Sequence, residues 1–260
     1  MKHFKLLLYL CLTVCQAQNV GTALHLNKPE DLRSGFPVSE ITTEITFYNS
    51  SGSIEKKKEV SILNAQHRVV SEQRFDENGV LTARLTWQFD STGTKSLGRK
   101  LERWHKLMGY SSETSSHEYD ANGYVTKTTA KNQQQQVIMV TYIKNDERGN
   151  AIEVITTDSQ GKAYGMERAE YDYPNNKFVS RVYNQNGQFV SESTGKITNE
   201  EANDPTIVKN EKGDVIKTSD YEYEYRYDKK GNWTFKIIYK IKNGKKVKQS
   251  EFKRNINYLK

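Results

Sequence analysis

The chain has 260 residues, 39 Lys and Arg against 32 Asp and Glu, and an apolar fraction of 35% that stays below the ~45–50% of an ordinary globular domain even when its sixteen glycines are added. That excludes a thick single core. Four prolines with sixteen tyrosines exclude a disordered tail, and no apolar run long enough for a membrane helix occurs beyond the first twenty residues.

Taken in order, the chain opens with Lys2 and Lys5, an apolar run from Leu6 to Val14 and the small residue Ala17. This is the order of an export signal, with cleavage leaving Gln18 at the new N-terminus. Cys15 would fit a lipoprotein, but the large Val14 before it disfavours acylation, so export to the periplasm, the outer membrane or the exterior without a lipid is expected. Removal of residues 1–17 takes Cys11 and Cys15, the only cysteines, and with them disulfides, thiolate metal sites and cysteine nucleophiles. Residues 18–45 read as an N-terminal cap or linker, with Pro29, Glu30 and Asp31 suited to a short helical turn.

From there to residue 228 one unit recurs: an aromatic or apolar residue, Asp or Asn, two polar residues and Gly. Clear copies are FDENG at 75–79, FDSTG at 89–93, YDANG at 119–123, YNQNG at 183–187 and YDKKG at 227–231; weaker ones are NDERG at 145–149, TDSQG at 157–161 and KNEKG at 209–213. The glycines at 123 and 149 are 26 residues apart, as are those at 161, 187 and 213. Asp or Asn opening a type I turn accepts hydrogen bonds from the following amides, and Gly at the fourth position takes the positive φ without steric cost. β-formers flank the turns, among them Leu85, Trp87, Phe89 and Phe189. Hairpin follows hairpin, and the expected fold is all-β: an elongated or curled antiparallel sheet, a meander of repeated β-hairpins. Within it, residues 97–108 place Leu97, Leu101, Trp104 and Met108 at helical spacing, which fits a helix and a strand pair alike.

The stretches YDANGYVTK at 119–127 and YDKKGNWTFK at 227–236 resemble the YD repeats of the RHS family. The resemblance extends over about residues 70–250 and implies antiparallel sheet of the kind that curls into a shell around cargo such as a toxin domain. This chain is too short to enclose cargo and shows no toxin domain after its repeats, so it looks more like a small secreted relative with a cell-envelope or surface role and no chemistry.

The search for chemistry agrees. Asp76, Asp90, Asp120, Asp146, Asp158, Asp172 and Asp228 would supply a carboxylate pair for glycoside hydrolysis, but each stands at or near the head of a turn that already uses it. The histidines left after export, at 25, 67, 105 and 117, lack metal-ligand spacing, and no calcium loop, nucleophile elbow, phosphate loop or dinucleotide fingerprint occurs. No cofactor, metal or catalytic residue is expected.

Two features point to binding. In YEYEYRYD at 221–228, a period of two puts Tyr221, Tyr223, Tyr225 and Tyr227 on one face, with Trp233 just beyond the turn. They either pack as cross-strand pairs or form an aromatic surface for sugar rings or a partner protein. The last hairpin, residues 229–260, carries eleven Lys and Arg against Glu251 alone, a balance of +10, whereas residues 18–228 stand at −5. Lys236, Lys240 and Lys242 alternate with Ile237, Tyr239 and Ile241 there, and Lys245 and Lys246 follow. Those lysines either guard a sheet edge or form a patch for an anionic surface. The reading is a non-catalytic exported binding module for polysaccharide or an envelope protein, not nucleic acid; the alternatives are an accessory or immunity-like partner of a polymorphic toxin and a secreted hydrolase with a cleft the sequence does not reveal.

Overall fold

The structure is a computed structural model that describes residues 32, 35–49, 51–197 and 207–259. The expected signal, its cleavage site and the helical turn at Pro29 lie outside the described residues. Among these residues there is no helix, and seventeen strands follow one another: β1 (Val38–Tyr48), β2 (Ile54–Leu63), β3 (Val69–Phe75), β4 (Leu81–Phe89), β5 (Ser96–His105), β6 (Gly109–Tyr119), β7 (Val125–Lys131), β8 (Val137–Asn145), β9 (Ala151–Thr157), β10 (Ala163–Asp172), β11 (Lys177–Asn184), β12 (Phe189–Lys196), β13 (Val208–Lys209), β14 (Val215–Lys217), β15 (Tyr221–Tyr227), β16 (Trp233–Lys242) and β17 (Lys245–Tyr258). The fold is the all-β meander of antiparallel hairpins that the repeats imply.

The chain divides into two compact units, one containing residues 114–199 and the other residues 27–113 with 200–260. In the first, β7 to β12 pair in sequence order. In the second, β13 to β17 and β1 to β5 do the same, and β1 lies between β17 and β2, with Phe47 opposite both Ser250 and Glu55. Most of the C-terminal hairpin lies inside the sheet: β16 is flanked by β15 and β17, and β17 by β16 and, from Ser250 onward, by β1. The N-terminal strand returns to pair with β17 from Ser250 to Tyr258, while residues 245–249 extend beyond it and are paired with β16 alone, so Lys245, Lys246 and Lys248 stand on a short stretch of free edge. β1 also takes in residues 38–45 of the segment read as cap or linker, and residues 96–105 form β5. The helical spacing there gathers nothing, since Leu97 and Met108 stand 44% and 65% exposed.

The turn unit forms as its chemistry requires. In the 76–80 turn the Asp76 Oδ1 accepts the N–H groups of Asn78 and Val80, both at 2.9 Å. Gly79 closes the turn at φ +75°. Asp120, Asp146, Asp158 and Asp228 repeat this pattern, and so do Asn184 and Asn210. Two further copies, headed by Asn64 and Asn132, escape a search for glycine because His67 and Gln135 take the left-handed position, at φ 56° and 62°.

Each turn is followed by a second irregularity. Tyr227 pairs with Trp233 but Arg226 with Phe235, leaving Thr234 unopposed. Thr82 and Thr126 are extra in the same place, and each of the three threonine hydroxyls reaches back to a carbonyl across the strand, at Arg226, Arg74 and Glu118. Such a bulge bends the strand and shifts which side chains share a face.

Apolar burial is thin. One unit has a cluster of Ala151, Val154 and Ala169, the other of Val38, Ile41 and Leu63. Polar latches between hairpins supplement it. Tyr258 donates to Asp228 Oδ2 at 2.5 Å and accepts from Asn232 Nδ2 at 2.8 Å, with the Lys230 ammonium 3.7 Å from its ring centroid. Tyr173 makes the same contacts to Asp146 and Asn150 beneath Arg148. Tyr227 repeats them with Asp214 and Asn210 beneath Lys212. In that last copy Asn heads the turn and Asp follows it, the reverse of the other two. The hydroxyl nonetheless donates to the carboxylate and accepts from the amide in all three, so the chemistry is kept although the positions are exchanged.

Candidate binding face

The register of β15, β16, β17 and β1 assembles one face of the second unit. Tyr225, Lys236, Phe252 and Ile45 form one row across it, and Tyr223, Ile238, Ser250 and Phe47 the next. Tyr221 lies opposite Lys240. The bulge at Thr234 places Trp233 on this face beside Tyr227, where simple alternation from Lys236 would put it on the other. The predicted aromatics Tyr221, Tyr223, Tyr225, Tyr227 and Trp233 are thus brought together, all half-buried.

They are not bare rings. Tyr225 stacks on Tyr227 with centroids 6.0 Å apart, and Tyr221 leans on Tyr223 at 6.4 Å. The Arg254 guanidinium sits 3.7 Å from the Trp233 centroid, and the Lys236 ammonium lies 4.9 Å from Trp233 and 4.8 Å from Phe252. Lys240 stands 6.0 Å from Tyr221. Burial pushes the Lys236 ammonium below its usual pKa, and the neighbouring Arg254 charge adds to that.

The predicted lysines divide. Lys240 belongs to this face, while Lys242 and Lys245 are exposed beside the Asn243-Gly244 turn, both of whose residues have positive φ. Lys246 turns to the opposite face, where it meets Glu222 at 2.5 Å; Lys248 meets Glu251 at the same distance. Glu251 is already counted in the +10 balance, and Glu222 of β15 neutralises one charge more. Lys236 and Lys240 form no ion pair within 4 Å among the described residues; rings lie beside them, and the Asp214 carboxylate acts on Lys236 through its charge. Sequence reasoning included Lys236 among the basic-hairpin lysines but left Phe252 and Arg254 out of the site. The alternation of Lys236 with Lys240 was a usable signal, but Phe252 and Arg254 join only through the register of β17.

Chemically the face offers cations held on aromatic planes, a favourable setting for carboxylate, sulfate or phosphate groups on a ring-shaped ligand. No cluster of three or more His, Cys, Asp or Glu able to hold a metal occurs among the described residues.

No family model and no curated protein matches the sequence. Among solved structures, the chain is similar to a porin-like protein from Bacteroides uniformis, with 14% identity over 89% of this chain and all of that one at a TM-score of 0.44. A porin-like protein from Bacteroides vulgatus aligns at 8% identity over 84% of this chain and 98% of the other, with a TM-score of 0.32. The TcdB2-TccC3-Cdc42 structure aligns at 10% identity over 73% of this chain and 13% of that one, at a TM-score of 0.27.

Proposed function

We propose that the protein is an exported, non-catalytic β-repeat module of the YD type that binds an anionic polysaccharide along β16. The observation that carries the reading is the pair Lys236 and Lys240. Both are half-buried, both lie over aromatic rings, and neither forms an ion pair with a carboxylate among the described residues. Four residues along a strand, they are roughly 13 Å apart, a spacing that suits successive charges on an extended polymer rather than one small anion. The tyrosine rows beside them supply apolar ring surface and phenol hydroxyls.

The test is a glycan array probed with residues 18–260, comparing uronic-acid and sulfated polymers with neutral ones. Lys236→Gln with Lys240→Gln is expected to weaken acidic-polymer binding at least tenfold, since a hydrogen bond to a charged group contributes about 1.5–3 kcal/mol. Lys245→Gln with Lys246→Gln should do far less, because Lys246 already serves Glu222. Burial lowers the Lys236 pKa, so its charge is lost as pH rises through a value below the 10.5 of free lysine, and binding should fade there first. Equal binding of neutral polymers, or indifference to the Lys236 and Lys240 changes, would refute the proposal.

A further inference from the structure

A second feature lies on the opposite side of β1 from that face. β3 ends at Phe75, whose partner on β2 is Lys58, while β2 continues beyond that rung to Ile54. The first four residues of β2 are therefore paired on one side only, with β1. The backbone alternation says which groups are left over. Asn49 and Ser53 form the hydrogen-bonded rung at the base of the β1–β2 turn, at 3.0 Å. The next rung, Tyr48 with Ile54, is then of the non-bonded kind, Phe47 with Glu55 bonded, and Thr46 with Lys56 non-bonded. Main-chain N–H and C=O groups of Ile54 and Lys56 consequently point away from β1. On that side lies a groove of about 590 Å³ lined by residues 55–59, Arg74, the 76–78 turn and Lys106. Residues 54–58 are all exposed.

We propose that this overhang is a strand-addition site for an extended acidic segment of a partner protein. Only another polypeptide backbone presents donors and acceptors at the spacing that Ile54 and Lys56 require. The side chains set the sign. Lys56 and Lys58 point to one side of β2 and form no ion pair among the described residues, Lys58 lying 5.6 Å from the Phe75 ring centroid. Lys106, across the groove, is 3.9 Å from Asp76 with its side chain 76% exposed. Lysines on an edge ordinarily keep strands from pairing, and here they do so against a second copy of this chain, which would set lysine against lysine. A strand with glutamate or aspartate at alternate positions meets the same lysines with opposite charge.

The probe is a short synthetic peptide alternating glutamate and valine, labelled for fluorescence anisotropy against the full mature chain. Two modified peptides accompany it: one with glutamine for glutamate, one with alternate amides N-methylated, which keeps charge and removes backbone donors. Each modification is expected to weaken binding at least tenfold, and binding of the parent should slow hydrogen exchange at the Lys56 amide. On the protein side, Lys56→Pro removes an N–H that the β1–β2 ladder does not use and should abolish binding, whereas Lys56→Glu with Lys58→Glu should reverse the charge preference. If Lys56→Pro fails to fold, the N-methylated peptide decides alone. Equal binding of the N-methylated peptide would mean a charge effect without strand addition and overturns the proposal, as does equal binding of the glutamine peptide or the absence of binding by the parent. Loss of glycan binding leaves this result untouched, because Lys236 and Lys240 are on other strands.

Discussion

The latches between hairpins make a sharp stability prediction, best developed at Tyr258. Tyr258→Phe removes one hydroxyl and leaves the ring, so packing beneath Lys230 is kept while two hydrogen bonds vanish, to Asp228 Oδ2 at 2.5 Å and from Asn232 Nδ2 at 2.8 Å. The bond to an ionised carboxylate contributes about 1.5–3 kcal/mol, and the amide bond about 0.5–1.5 kcal/mol. Asn232 is only 4% exposed, so its amide would have poor access to water as a substitute. A loss of about 2–4 kcal/mol is expected, read as a lowered urea midpoint at unchanged slope. Tyr124→Phe is the control, because that hydroxyl makes a single exposed bond of 3.3 Å to the Glu147 carbonyl and should cost less than about 1 kcal/mol. Tyr227→Phe should resemble Tyr258→Phe, its contacts being the same with Asp and Asn exchanged. Coincident midpoints for Tyr258→Phe and Tyr124→Phe would show that the latch contributes nothing and that the hairpins cohere through backbone pairing alone.

Two other outcomes follow from the same geometry and from the leader. Gly231 and Gly149 have closely similar φ, +86° and +80°, but an added Cβ at Gly231 meets nothing within 4 Å whereas at Gly149 it would lie 2.3 Å from the Tyr124 ring. Both alanine variants should therefore lose the ~1–2 kcal/mol of the left-handed backbone, with Gly149→Ala losing more by chemical denaturation; equal losses would mean that Tyr124 moves aside freely. Mass spectrometry of the native protein should find Gln18 at the N-terminus, and an intact Met1 or a lipid on Cys15 would contradict cleavage without acylation.

Much of this architecture is written locally. The Asp or Asn at the head of each turn and the Gly at its fourth position act within five residues, through side chain to amide bonds and a positive φ, so FDENG, YDANG and YDKKG determine their hairpins wherever they occur. Alternation likewise puts Tyr221 to Tyr227 on one face, because the side-chain period of a strand is set by its own backbone. The copies at Asn64 and Asn132 were hidden only because His67 and Gln135 accept the conformation that glycine takes elsewhere.

What joins distant strands is not local. That β1 packs against β17, with Ile45 opposite Phe252, depends on which edges remain unpaired once all the hairpins have formed, and it covers β17 from Ser250 to Tyr258. The bulge at Thr234 carries Trp233 onto the tyrosine face and so under Arg254, a residue 21 positions further along the chain. Lys246 and Lys240 look alike in sequence, yet one is bound to Glu222 and the other is left over Tyr221, because register across β15 and β17 decides which carboxylate each can reach. Turn chemistry is a property of neighbours in the chain and is fixed by composition; pairing partners, faces and charge neutralisation are properties of neighbours in space, and only the assembled sheet decides them.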